Sequence, residues 1–69
     1  MTLVPVDSSS IKAVGYDTHS EVLQVQFLNG NTYEYQGVGE HEHAALMSAQ
    51  SIGAHFGKHI RPKFTGDKL

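Results

Sequence analysis

Sixty-nine residues make one small domain, close to the lower size at which a hydrophobic core alone sustains folding. The chain has no cysteine, which excludes disulfides and thiolate metal sites and fits a reducing compartment. A net charge of −2 argues against strong nonspecific attraction to nucleic acid by the domain as a whole.

From the N-terminus, Met1 to Val6 is too short for an export signal and is interrupted by Pro5. No stretch approaches the roughly 18 apolar residues of a membrane span, so a soluble, cytoplasmic protein with no membrane contact is expected. Asp7-Ser8-Ser9-Ser10 marks where order begins. Ile11 to Tyr16 is a short strand candidate, with Gly15 a plausible bulge or close-approach point. Asp17-Thr18-His19-Ser20 supplies turn chemistry. Val22 to Leu28 alternates, with Leu23, Val25 and Phe27 facing one way and Gln24 and Gln26 the other. Asn29-Gly30 is a hairpin signal, and Thr32 to Gln36 forms the return strand.

From Glu40 the period becomes helical. Glu40 and Glu42 favour the positive end of a helix dipole, and Leu46, Ala49, Ile52, Phe56 and Ile60 form an apolar stripe. Ser51 is a cap residue and Gly53 and Gly57 weaken a helix, so the pattern predicts one helix from Glu40 to Gln50, a break near Ser51, and a second to His59. Pro62 opposes continuation. The expected fold is α+β: a three-stranded antiparallel sheet followed by one or two short helices packed on one face, with an ordered core over about residues 8–64.

Charge is unevenly placed. Up to Gly57, Lys12 is the only basic residue against six acids; beyond it, Lys58, Arg61, Lys63 and Lys68 face Asp67 alone. The body is −5 and the tail +3. Such asymmetry marks either an electrostatic contact surface or a solvated basic turn that complements a helix C-terminus.

Tyr33 and Tyr35 lie two apart and share one face of their strand. A two-residue turn at Asn29-Gly30 pairs Gln26 with Tyr33 and places both rings with Gln24 and Gln26, opposite Leu23, Val25 and Phe27. A three-residue loop, Leu28-Asn29-Gly30, pairs Val25 with Tyr33 and sends both rings to the core. The Asn-Gly dipeptide favours the first register; the need of a small core for apolar area favours the second. Exposed or half-buried tyrosines are the expectation.

Several motifs along the chain act together as a signature. They are Ser9, Ile11 and Gly15-Tyr16-Asp17, then Leu23-x-Val25-x-Phe27-x-x-Gly30, Tyr33-x-Tyr35 and Gly37-Val38. In the helical half they are Ala49-x-Ser51-x-Gly53-x-x-Phe56 and Ile60-Arg61. With these, the chain from Ser8 to Phe64 resembles the KTSC family, a short domain named from the C-terminus of some lysyl-tRNA synthetases and found also as a stand-alone bacterial or phage protein. The chain departs from that pattern at Gly39, where proline is common, at His43 and His55, where aromatic residues are common, and at Gly57, where asparagine is usual. The family has no established activity. The resemblance implies an RNA-binding role only through the synthetase context.

Five histidines raise the question of a metal. His41 and His43 do not share a helical face, whereas His55 and His59 do. The segment lacks the glutamate of a zinc-protease helix, and two imidazoles without a further ligand do not make a site, so no metal or other cofactor is expected. Ser8, Ser9, Ser10 and Ser51 lack the strained elbow and positioned acid of a nucleophile, and there is no Gly-rich phosphate loop. The expectation is a non-catalytic binding module for RNA or single-stranded nucleic acid. Tyr33 and Tyr35 would stack bases, and Lys58, Arg61 and Lys63 would contact phosphates. The alternative is a protein-interaction module using an exposed sheet edge. The oligomeric state has no sequence signal.

Overall fold

The structure, a computed structural model, describes residues 2–69. Its elements are β1 (Val4–Pro5), β2 (Ile11–Asp17), β3 (Val22–Phe27), β4 (Thr32–Tyr35), α1 (Glu40–Ser48), α2 (Ile52–His55) and β5 (Gly66–Lys68). A π turn, Phe56–Ile60, continues directly from α2. The strands form one antiparallel sheet in the order β1-β2-β3-β4-β5. The class is the expected α+β, but the sheet has five strands rather than three. The two added strands, two and three residues long, are too short to carry a readable alternation. They form because the outer backbones of β2 and β4 offer unpaired hydrogen-bonding edges.

Local chemistry opens and turns the strands. Ser8 Oγ accepts the Ser10 and Ile11 N–H groups, each at 3.2 Å, and so starts β2. The irregularity in β2 falls between Ile11 and Ala13 rather than at Gly15. Asp17 Oδ1 accepts the His19 N–H at 2.9 Å; this bond, with help from the Ser20 hydroxyl, holds the Asp17 carboxyl below its usual range.

The β3–β4 hairpin settles the register. Leu23 pairs with Tyr35, Val25 with Tyr33 and Gln26 with Thr32. The Phe27 N–H donates to the Asn31 carbonyl at 2.8 Å, and the Gly30 N–H donates to the Phe27 carbonyl at 3.0 Å. Gly30 sits at φ +95°, a conformation that favours glycine. Asn29 and Gly30 are thus the second and third residues of a three-residue loop, not the centre of a two-residue turn. The rings of Tyr33 and Tyr35 accordingly lie on the face of Leu23 and Val25, which corrects the expected register. The physical reason is area: the other register would leave two aromatic rings on the open face of a domain with little core to spare. Tyr35 is 5% exposed, while Tyr33 is half-buried.

The helical layer covers that same face. Ile11, Val14, Leu23, Val25 and Tyr35 pack with Val38, Leu46, Phe56 and Ile60 in one cluster. From α1 only Leu46 is buried; the helix stands on alanine and leucine propensity and on Glu40 and Glu42 in its first turn. It ends where Ala49 turns extended. Ser51 then caps α2, its Oγ accepting the Ala54 N–H at 3.3 Å. The π turn closes through the Arg61 N–H to the Phe56 carbonyl at 2.9 Å. Phe56 and Ile60, four residues apart and so on one face, both enter the core. Among the described residues no helix is long and apolar enough to cross a membrane.

Candidate functional site

Two clefts among the described residues lie between sheet and helices. The first, about 360 Å³, opens between the β3–β4 hairpin and the α2–π segment. Its apolar wall is aromatic: Phe27 and Tyr33 meet edge to face at 5.8 Å between centroids. Phe56 meets Phe27 at 5.5 Å and Tyr35 at 5.4 Å in the same manner. The polar rim comes from Ser10, Asn29, Asn31 and Arg61. Asn29 uses its Oδ1 to accept the Asn31 N–H at 3.0 Å, which leaves its amide N–H₂ free to donate.

Backbone placement explains why the cation lines the same cleft as the rings. Arg61 comes directly after the π turn that seats Phe56 against Tyr35, so the guanidinium reaches the mouth of the same cleft. Burial pushes the Tyr35 phenol up from its ordinary value, and the positive charge of Arg61 acts against that shift. Arg61 makes no ion pair among the described residues. The chain then returns as β5, with Gly66 opposite Tyr35 and Lys68 opposite Tyr33. Directly paired residues share a face, so Lys68 stands on the side of the sheet that carries the cleft. Gly66 is required by close approach: a Cβ there would come within 2.5 Å of the Tyr35 ring.

The sequence-predicted residues divide. Tyr33, Tyr35 and Arg61 line one cleft. Lys58 and Lys63 lie outside it, and Lys63 is 3.5 Å from the Glu42 carboxylate. The two tyrosines do not form an open stacking platform, because one ring is core and the other is packed edge-on. Sequence reasoning missed Ser10, Asn29 and Asn31. The signals for them were Asn29-Gly30, which reads as a hairpin turn, and the serine cluster, which reads as the start of order. The opposite face of the sheet is polar and acidic: Gln24 and Gln36 donate to Glu34 at 2.9 and 3.1 Å, and Asp67 lies directly beside Glu34.

The second cleft, about 390 Å³, lies between β1, β2 and α1. There Tyr16 stacks on His43 at 4.4 Å with the rings 9° from parallel, and its hydroxyl donates to the Val38 carbonyl. Burial, reinforced by Glu21, Glu40 and Asp17, pushes the Tyr16 phenol up, and burial holds His43 below its ordinary value. His55 and His59 lie with ring centroids 4.6 Å apart, but no cluster of three metal-ligating side chains occurs among the described residues.

A family model described as the KTSC domain matches residues 7–64. The chain belongs to the KTSC family. The crystal structure of a KTSC domain protein from Yersinia pestis is similar over 99% of this chain and 96% of its own, with a TM-score of 0.92 at 42% identity. An uncharacterised protein of Stutzerimonas stutzeri is 36% identical over 63 residues, covering 91% of this KTSC domain and 89% of that protein. A lysine–tRNA ligase of Nostoc punctiforme is 34% identical over 67 residues, which cover 97% of this chain but 12% of the ligase.

Proposed function

We propose that this KTSC domain is a non-catalytic, cytoplasmic module that binds single-stranded RNA weakly through the cleft of Tyr33, Tyr35 and Arg61. The observation that carries the reading is the Arg61 guanidinium, without an ion-pair partner among the described residues, at the mouth of an aromatic cleft rimmed by a hydroxyl and two amides. An arginine of this kind matches phosphate geometry and stacks on base faces. Amide and hydroxyl groups read base edges. A protein named for joining lysine to tRNA carries a segment similar to this chain, which is consistent with the reading. The acids Glu34 and Asp67 repel phosphate from the opposite face and so favour this one.

The alternative, strand addition by a protein partner at a sheet edge, has less to support it. The edge strands are two and three residues long, and Pro5 removes a donor from one of them.

An amide NMR titration with a short mixed-sequence RNA tests the proposal, first at low and then at physiological salt. Shifts at Asn31, Tyr33, Gly57 and Arg61 that Arg61→Ala removes and Lys63→Ala leaves are expected. Shifts at Gln24 and Glu34, or none, would overturn it.

A further inference from the structure

We infer that the cleft takes a single nucleotide unit, one base with one phosphate, rather than a run of stacked bases. This inference rests on the nucleic-acid reading above and narrows it. Size is the first argument. A cleft of about 360 Å³ stands near the low end of small-ligand sites, which span about 300–1,000 Å³. It has room for one ring system with its sugar and phosphate.

Ring geometry is the second argument. A strand held by consecutive stacking needs successive aromatic faces presented to solvent. Here the three aromatic contacts along the cleft are all edge to face, with interplanar angles of 81°, 71° and 76°. Tyr35, which would supply the second step of a platform, is 5% exposed. Tyr33 and Phe27 are the half-open rings of the cleft, and they stand 81° apart. They cannot offer parallel faces to two successive bases, so one base can lie against Tyr33.

Charge supplies the third. Among the described residues Arg61 is the single cation lining the cleft, and the β5 register adds Lys68 on the same face. Lys63, which would extend a phosphate track, is offset by Glu42. Beyond the cleft the open face of the sheet presents Glu34 and Asp67. The positive field therefore covers one phosphate, or two at most. The rim chemistry agrees: Asn29, Asn31 and Ser10 offer donors and acceptors for the edge of one base.

The test is a length series on the full chain: uridine 5′-monophosphate, then 5′-phosphorylated oligouridylates of increasing length up to a hexamer, measured by NMR titration across a range of salt. The mononucleotide is expected to shift Asn31, Tyr33 and Arg61. Affinity per site should change by less than about threefold along the series. A long single strand loses about 0.7 of a logarithmic unit per neutralised phosphate, and a mononucleotide, with no condensed counterions, loses less. The salt slope should therefore not pass about −1.4 at any length. Arg61→Ala, at an exposed position, should weaken the mononucleotide about tenfold. A rise of about tenfold or more toward the hexamer, with a slope steeper than about −1.4, would overturn the single-unit inference and leave the RNA reading standing. No shift with any of these probes, or binding that Arg61→Ala leaves intact, would overturn both.

Discussion

The two clefts described above both have tyrosine in their walls and finish it in opposite ways. In the β1–β2–α1 cleft, Tyr16 has its ring covered by His43 and its hydroxyl committed to the Val38 carbonyl. In the hairpin cleft, neither Tyr33 nor Tyr35 has a side-chain hydrogen-bond partner among the described residues, and no buried side-chain polar atom is left unsatisfied. The Tyr35 hydroxyl therefore reaches the cleft although its ring is core. The nearby cation is likewise uncommitted among the described residues. A tyrosine in a small domain supplies apolar area whichever way it is finished; the partner of its hydroxyl decides whether its polar end is committed to the fold or free to a ligand.

Phe56→Ala tests the shared foundation of that contrast most strongly. Phe56 touches both Phe27 and Tyr35 and is 4% exposed. Truncating a buried phenylalanine costs about 3–5 kcal/mol. For a domain this small such a loss should bring the urea midpoint close to zero. A loss below about 1 kcal/mol would mean that the hairpin cleft does not depend on the π turn for its wall.

Gly66→Ala comes next. The added methyl meets the Tyr35 ring, which cannot swing aside because Phe56 closes on it. A cost of about 1–3 kcal/mol is expected, concentrated as faster hydrogen exchange at Leu69, whose N–H bonds to Thr32 at 2.8 Å. Unchanged exchange there would show that β5 adjusts without strain.

The sharpest comparison is a pair of hydroxyl deletions. Tyr16→Phe leaves the Val38 carbonyl without its donor and should cost about 1 kcal/mol in chemical denaturation. Tyr35→Phe removes a hydroxyl with no protein partner among the described residues and should change stability by no more than a few tenths of a kcal/mol. Equal effects at the two positions would erase the distinction between a committed and an uncommitted tyrosine hydroxyl.

Much of this contrast was hidden in the sequence, for identifiable reasons. The alternation at Leu23, Val25 and Phe27 and the helical spacing of Leu46, Phe56 and Ile60 named the two layers correctly, because burial imposes those periods. Asn29-Gly30 named the hairpin but not its register, since both loop lengths accommodate Asn and Gly. The choice rests on where Tyr33 and Tyr35 find apolar neighbours across the chain. Arg61, Lys58 and Lys63 look interchangeable in sequence. A π turn shifts the angular phase of every residue beyond it, so a regular helical count does not predict which cation reaches the cleft. Tyr16 and His43 are twenty-seven positions apart, and nothing local announces their stacking.

That stack supplies the smallest and most selective effect, a dependence on pH. Burial holds the folded His43 imidazole below its ordinary value. In the unfolded chain the same ring protonates near its ordinary value of about 6.5. As pH falls the unfolded state therefore takes up the proton first, and the equilibrium moves toward it. The stabilisation that comes from a neutral, stacked His43 is complete above the unfolded value and is lost as pH falls through the depressed folded value. The urea midpoint should be level above about pH 7.5 and decline below it. His43→Phe keeps a ring against Tyr16 and has no proton to bind, so it should flatten that decline while Arg61→Ala, at the other cleft, leaves it unchanged. If His43→Phe declines as steeply as the parent, the sensitivity does not originate in the β1–β2–α1 cleft. If Arg61→Ala flattens it, the two clefts are coupled through the helical layer rather than independent.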